Sequence, residues 1–264
     1  MKNKRRAIFI GLVLLLLPLL ARAEEASFAV ISDTHIGLRE SVYITFIQAV
    51  EEQKIRLIIH TGDAINRPGD LIQWARFLQI TGPGKELHVA PGNHDIDDKE
   101  SLAVFLKYFS EPYHSFSDGD TLFLLLNTEL PGQRSRIEGK QLAWLEAELQ
   151  RPFKYKFVFL HEPPFPVVHL HGLDRHREPR DRLHQLFVRT GVSLVVAGHD
   201  HLYDRKVKDG ITYVILGGGG GQLAYILKNS DFYHYMVASR SNGGYLFTLK
   251  DISGSTRDQF SVNR

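Results

Sequence analysis

Five four-residue apolar runs in this chain are each followed at once by residue types that ligate metals. Phe28 to Ile31 leads into Asp33-Thr34-His35, and Leu57 to His60 into Gly62-Asp63. Leu87 to Ala90 leads into Gly92-Asn93-His94-Asp95, Phe157 to Leu160 into His161, and Leu194 to Ala197 into Gly198-His199-Asp200-His201. Short buried runs alternating with amphipathic stretches are the pattern of βα units. In an open α/β sheet the carboxyl ends of parallel strands border one crevice, so side chains remote in sequence would meet there. That crevice would collect two aspartates, one asparagine and several histidines. The sequence has no cysteine, so a metal held there takes nitrogen and oxygen donors, which suit borderline first-row divalent ions. Two such cations would offset charges that could not otherwise sit together away from water.

The periodicity predicts helices over Ser41 to Gln53, Asp70 to Gln79, Lys99 to Phe109 and Glu138 to Gln150, the last with Leu142, Leu145 and Leu149 at helical spacing. It predicts a strand over Thr121 to Asn127. Beyond residue 200 the reading is all-β, with Arg205 to Val207 and Thr212 to Leu216 joined through the two-residue turn Asp209-Gly210. No linker divides the chain, so residues 24–264 read as one α/β domain. Pro163 to Arg182 reads as a long polar loop. Its His169, His171, His176, Arg175 and Arg177 are either a rim that touches substrate through guanidinium groups or a plain solvated loop. Gly217 to Gly221 lacks the Lys-Ser/Thr ending of a phosphate loop and reads as a tight backbone passage near the site.

The first 23 residues stand apart. Lys2, Lys4, Arg5 and Arg6 precede an apolar run from Ala7 to Ala21, and Ala21-Arg22-Ala23 offers small residues at the cleavage positions of a secretory signal. The run is short of the ~20 apolar residues of a membrane-spanning helix. A signal peptide over 1–23, an exported (periplasmic or secreted) mature domain over 24–264 and no membrane attachment after cleavage are therefore expected. The remaining chain carries 27 Lys+Arg against 30 Asp+Glu. That balance lacks the basic footprint of a dedicated nucleic-acid binder.

In order, the blocks DxH, GD, GNHD, H and GHxH resemble the calcineurin-like metallophosphoesterases, over nearly the whole mature chain from Asp33 to about Gly221. The resemblance implies a two-sheet β-sandwich flanked by helices, with a binuclear metal centre at its strand ends. Carried over by position, Asp33, His35 and His201 would hold one metal, Asn93, His161 and His199 the other, and Asp63 would bridge them. His94 would face the substrate as general acid, oriented by Asp95. Taken singly these blocks have ordinary explanations, such as a turn at Gly62-Asp63 or a helix cap at Asp33. Their order makes a site the better reading. His60, His88, His114, His184 and His234 are expected in core, surface or supporting positions.

Two divalent ions (Mn, Fe, Zn or Co) about 3.5 to 4 Å apart lower the pKa of a shared water, giving a hydroxide that attacks phosphorus. The implied activity is hydrolysis of a small phosphate ester, by a phosphodiesterase or phosphomonoesterase. Purple acid phosphatases fit less well, since their pattern has DxG and a tyrosine shortly after GD, where this chain has His35 and Ala64-Ile65-Asn66. The alternative is a non-catalytic metal-binding scaffold of the same fold. From the leader alone, the exported protein is expected to begin at Glu24. Intact mass of the exported chain tests this, and a species still beginning at Met1 refutes it.

Overall fold

The computed structural model describes residues 26–224, 230, 232–241 and 243–263; the expected signal peptide over 1–23 lies outside them. Two six-stranded mixed sheets face each other. The first contains β1 (Ala26–Ile31), β2 (Leu57–His60), β3 (Glu86–Val89), and the C-terminal strands β10 (His234–Ser241), β11 (Gly244–Asp251) and β12 (Thr256–Asn263), in the order β12-β11-β10-β1-β2-β3. The second holds β4 (His114–Asp118), β5 (Thr121–Leu125), β6 (Tyr155–Phe159), β7 (Leu194–Ala197), β8 (Tyr203–Lys208) and β9 (Ile211–Leu216), in the order β4-β5-β6-β7-β9-β8. Helices α1 (Tyr43–Glu52), α2 (Leu71–Thr81) and α3 (Lys99–Tyr108) connect strands of the first sheet or lead out of it. Helices α4 (Gly139–Leu149) and α5 (Arg177–Thr190) serve the second. The expected helix-flanked two-sheet sandwich is what the chain forms.

The reason is visible along β1. Phe28 and Val30 point into the core between the sheets, whereas Ala29 and Ile31 point into the cluster shared with Tyr43, Phe46, Trp74, Phe77 and Phe105 of the helices. Side chains alternate across a strand, so a strand covered on both faces must be apolar at every position. That is why these strands read as unbroken hydrophobic runs. Leu122 and Leu124 face α4 and α5, while Phe123 and Leu125 face the sandwich. Phe28 sits at the centre, with ring centroids 5.3 Å from Phe123, 6.4 Å from Phe157 and 6.0 Å from both Tyr245 and Phe247.

Two stretches differ from the sequence reading. The loop expected over Pro163 to Arg182 ends early, because a 3₁₀ turn over Leu173–His176 runs straight into α5. Pro179 lies in the first turn of α5, where its missing N–H costs nothing. Gly191 closes that helix in the left-handed conformation (φ 75°). The hairpin turn at Asp209-Gly210 has positive φ at both residues (49° and 78°), as a two-residue turn between twisted strands requires.

Parallel pairing joins β1 to β2 and β2 to β3 in one sheet, and β5, β6, β7 and β9 in the other. The strand ends from both sheets therefore open on the same edge of the sandwich. Because Phe28 fills the centre of that packing, Phe28→Ala should destabilise the fold by about 3–5 kcal/mol. Urea unfolding followed by tryptophan fluorescence measures it, and a loss under 1 kcal/mol would contradict the packing described.

Candidate metal centre

Past the strand ends the pairing continues as loop-to-loop hydrogen bonds. Asp33 N–H donates to Gly62 O (2.8 Å), His35 N–H to Asp63 O (2.9 Å) and Gly198 N–H to His161 O (3.0 Å). The loops thus inherit the register of the strands and deliver their side chains at fixed heights. Asp33, His35, Asp63 and His199 all hold positive φ (55°, 42°, 54° and 69°). Left-handed backbone at a residue other than glycine costs free energy and persists only where the surroundings impose it. Two glycines make room: a Cβ on Gly62 would run into the His161 ring, and one on Gly92 would overlap Asp63 Oδ1.

Two donor groups result, and they share a residue. Asp33, His35, Asp63 and His201 bring one ligand atom each within 4.8 Å of one another, and Asp63, His161 and His199 do the same. His35 Nε2 lies 3.3 Å from His201 Nε2, and His201 Nε2 lies 3.4 Å from Asp33 Oδ1. On the other side His161 Nε2 is 3.1 Å from Asn93 Oδ1, 3.1 Å from His199 Nδ1 and 3.4 Å from Asp63 Oδ2. Asn93 joins the second group in this way. Imidazole nitrogens and carboxylate oxygens turned toward one another at these spacings satisfy one another poorly as a hydrogen-bond network. They do fit cations seated between them. The outer nitrogens agree: His161 Nδ1 donates to Thr61 O (3.0 Å) and His201 Nδ1 to Gln222 O (2.9 Å), leaving each Nε2 for a metal.

Burial would raise the pKa values of Asp33 and Asp63, but the histidines around them reverse this. His201 and His161 hold Asp33 well below the usual carboxylate range, and His161 and His35 do so for Asp63. The same coupling, working against burial, lifts His161 well above the ordinary imidazole value and His201 to about 9. Two buried carboxylates that draw positive charge onto the histidines beside them call for the compensation that divalent cations would supply. Burial first, then the His161 and His171 charges, pushes His199 down to about 2.

Around the two donor groups stand supporting residues, among them His60 and the 217–221 run in the places the sequence suggests. His60, buried and driven to about 3 by desolvation, accepts the Gly62 N–H at Nδ1 (3.2 Å) and reaches Thr34 Oγ1 with Nε2 (2.9 Å). Thr34 in turn donates to Ala64 O (3.0 Å), so the two metal-facing loops are tied by one relay. Gly221 N–H donates to Asp33 O and Val42 N–H to Gly219 O, which makes the 217–221 run a backbone passage behind the site. His88 pairs with His114 at 2.8 Å and His184 with Tyr213 and Asp209 at 2.8 Å each; neither pair belongs to the two donor groups.

His94 belongs to neither donor group and lines the cavity of about 310 Å³ above them, with Asp63, Asn93, Val168, His171, His199, His201 and Gln222. Its backbone N–H donates to Asp63 Oδ1 (2.8 Å) and its ring stands edge-on to His35, centroids 4.6 Å apart. The expectation that Asp95 orients His94 needs correction. Among the described residues the Asp95 carboxylate accepts from Gly92 N–H (2.9 Å) and Ile65 N–H (3.2 Å), tying loops beneath the site. Burial, then the Asp63 charge, raises its pKa to about 7. His94 is held instead by Asn66, whose carbonyl accepts from Nδ1 at 2.8 Å. Asn66 is fixed by Gln73, whose Oε1 accepts the N–H groups of Asn66 and Arg67 (2.9 and 3.0 Å) from the first turn of α2.

Arg175 and Arg177 do not form a rim. Arg175 donates to Leu170 O on the outside of the loop, and Arg177 lines a separate groove with Ile137, Leu142 and Leu186 between α4 and α5. Of the five rim candidates only His171 lines the cavity.

Residues 26–203 match the family model of the calcineurin-like phosphoesterases. The chain is 28% identical over 214 residues to the human protein named serine/threonine-protein phosphatase CPPED1, covering 65% of this chain and 67% of that protein. The zebrafish protein of the same name is 29% identical over 200 residues, 67% of this chain and 64% of its own length. The chain therefore spans about two thirds of these relatives. A purple acid phosphatase from yellow lupin superposes with a TM-score of 0.75 at 18% identity, over 90% of this chain and 53% of that one. The Plasmodium protein GAP50, described as an anchor in the inner membrane complex, gives 0.71 at 14% identity, over 89% and 88%. At these identities the superpositions establish the fold alone.

The shared position of Asp63 makes a direct test. If Asp63 bridges two ions, Asp63→Asn would replace a charged two-oxygen ligand with a single neutral oxygen. Both ions should bind more weakly and hydrolysis should fall by about 10²-fold or more. Metal analysis after dialysis checks it, and two ions retained as firmly as in the unmodified protein would remove Asp63 from the bridging position.

Proposed function

We propose, from the premise that the chain belongs to the calcineurin-like phosphoesterase family, that it is an exported hydrolase of small phosphate esters working with two divalent metal ions drawn from Mn, Fe, Zn or Co. The observation that carries this is the complete set of seven donor residues in two groups joined at Asp63, beside a cavity lined by a histidine outside both groups. Bound between those donors, the ions would supply Lewis acidity toward the phosphoryl oxygens and an activated water.

The chain's own residues account for the rest. Asp33 and Asp63 supply the negative charge that retains cations. His161 and His201 are turned, by carbonyls on their outer nitrogens, to present Nε2 inward. His94 donates its Nδ1 proton to Asn66 O, which leaves Nε2 to face a leaving group, so a proton carried on Nε2 can pass to the departing oxygen. The near balance of 27 Lys+Arg and 30 Asp+Glu beyond residue 23 lacks the footprint of a nucleic-acid binder, which supports a small-molecule ester over a polynucleotide.

The scaffold alternative draws on the same fold, and a neighbour described as an anchor illustrates that the fold by itself decides nothing. Here the donor set is complete and costs strained backbone at four positions, which supports turnover. A panel of phosphomonoesters, phosphodiesters and cyclic nucleotides, offered to protein loaded separately with each metal, tests the activity; no turnover with both ions bound would return the chain to a scaffold. General acid catalysis contributes about 10² to 10⁴-fold and matters more as the leaving group becomes more basic. His94→Ala should therefore keep both ions, slow alkyl esters by about that factor and spare nitrophenyl esters. Equal losses across leaving groups, or loss of a metal, would take the acid role from His94.

A further inference from the structure

Asp200 lies between the ligand candidates His199 and His201 yet belongs to neither donor group. It is 1% exposed, it lines the cavity beside them, and its carboxylate is taken up by the 163–172 loop. Oδ1 accepts from His171 Nδ1 at 2.6 Å, while Oδ2 accepts from the N–H groups of Val167 (2.8 Å) and Val168 (3.2 Å). Hydrogen bonds to an ionised acceptor are about twice as strong as neutral ones, so three converging on one buried carboxylate make a firm anchor.

The segment it holds is built to be held. Leu173 N–H donates to Pro163 O (3.0 Å), which closes the neck of the 163–172 loop, and a Cβ on Gly172 would collide with that same carbonyl. Leu170 takes positive φ (57°) and its N–H donates to Asp174 Oδ2 (2.7 Å). The reversal there sends His171 back toward the site while Leu170 stays exposed. The His171 ring then lies nearly parallel on His199, centroids 4.0 Å apart and 17° between planes. With Nδ1 committed to Asp200, the Nε2 edge is the one left for a ligand, and both His171 and Val168 line the cavity that His94 also lines.

We propose that Asp200 is a positioning residue: it clamps the 163–172 loop over the metal centre and presents His171 as a second wall of the phosphate-ester site, alongside His94. The inference rests on the phosphoesterase reading above. Acting on binding rather than on the chemical step, the clamp sets affinity for the phosphoryl group in ground and transition states alike.

The experiment compares Asp200→Ala, His171→Ala and the double variant, all metal-loaded, with inorganic phosphate as the binding probe and a nitrophenyl ester as substrate. Each single variant should weaken phosphate binding and raise KM by about tenfold with kcat changed far less. The double variant should be no worse than Asp200→Ala alone, because His171 acts through its contact with Asp200. Hydrogen exchange at Val167 and Val168 should quicken in Asp200→Ala and stay protected in His171→Ala. Additive losses, unchanged phosphate affinity, or departure of a metal from Asp200→Ala would each overturn the proposal, the last by making Asp200 a prop for His199 and His201. If the unmodified protein turns over no ester, the phosphoesterase reading fails by itself, and the phosphate titration still decides whether Asp200 works through His171.

Discussion

Two buried carboxylates at the seam between the sheets set the terms for everything near them. Asp33 rises from the end of β1 in the first sheet, and both of its oxygens accept the His199 N–H at the end of β7 in the second (3.1 Å each). Asp63 does the corresponding work along the same edge, accepting the His94 N–H. A carboxylate removed from water is tolerated only when charge and hydrogen bonds surround it. Here the nearby loops contribute one or the other, so the requirement to satisfy two anions organises the left-handed residues, the glycines packed against them and the carbonyls behind His161 and His201.

That requirement explains how much could be read in advance. Most of the candidate ligand residues were legible because they follow doubly buried strands, which advertise themselves as continuous apolar runs, whereas Asn93 follows the half-exposed edge strand β3 and was legible through its GNHD block. His94 was legible through its place in the GNHD block. What holds His94 was not, because Asn66 works through its carbonyl, and a backbone acceptor leaves no mark on the sequence. The adjacent Asp95 attracted the role by proximity alone, although its side chain points to other loops.

The remaining differences have similar causes. β10 is buried over His234–Ala238 and half-buried beyond, β11 alternates and β12 is mostly exposed, so the three share no one pattern and blurred into a general all-β reading. The start of α5 is charged and contains Pro179, which resembles loop composition until the first-turn tolerance for proline is applied. Asp200 was visible inside GHxH, but its partners Val167, Val168 and His171 lie about thirty residues earlier and meet it only in three dimensions.

The span of the site along the chain has a consequence for how the molecule matures. His35 and His201 are 166 positions apart and come from different sheets, so no partly folded chain that has built one sheet alone possesses the full donor set. Closing so long a loop before any contact repays it is entropically slow. Cations that bind only the closed arrangement would draw the population toward it by mass action and slow its reopening. Metal occupancy would then report on completed assembly: a chain clipped anywhere between the first aspartate and the last histidine, and allowed to come apart, would surrender its ions together with its fold.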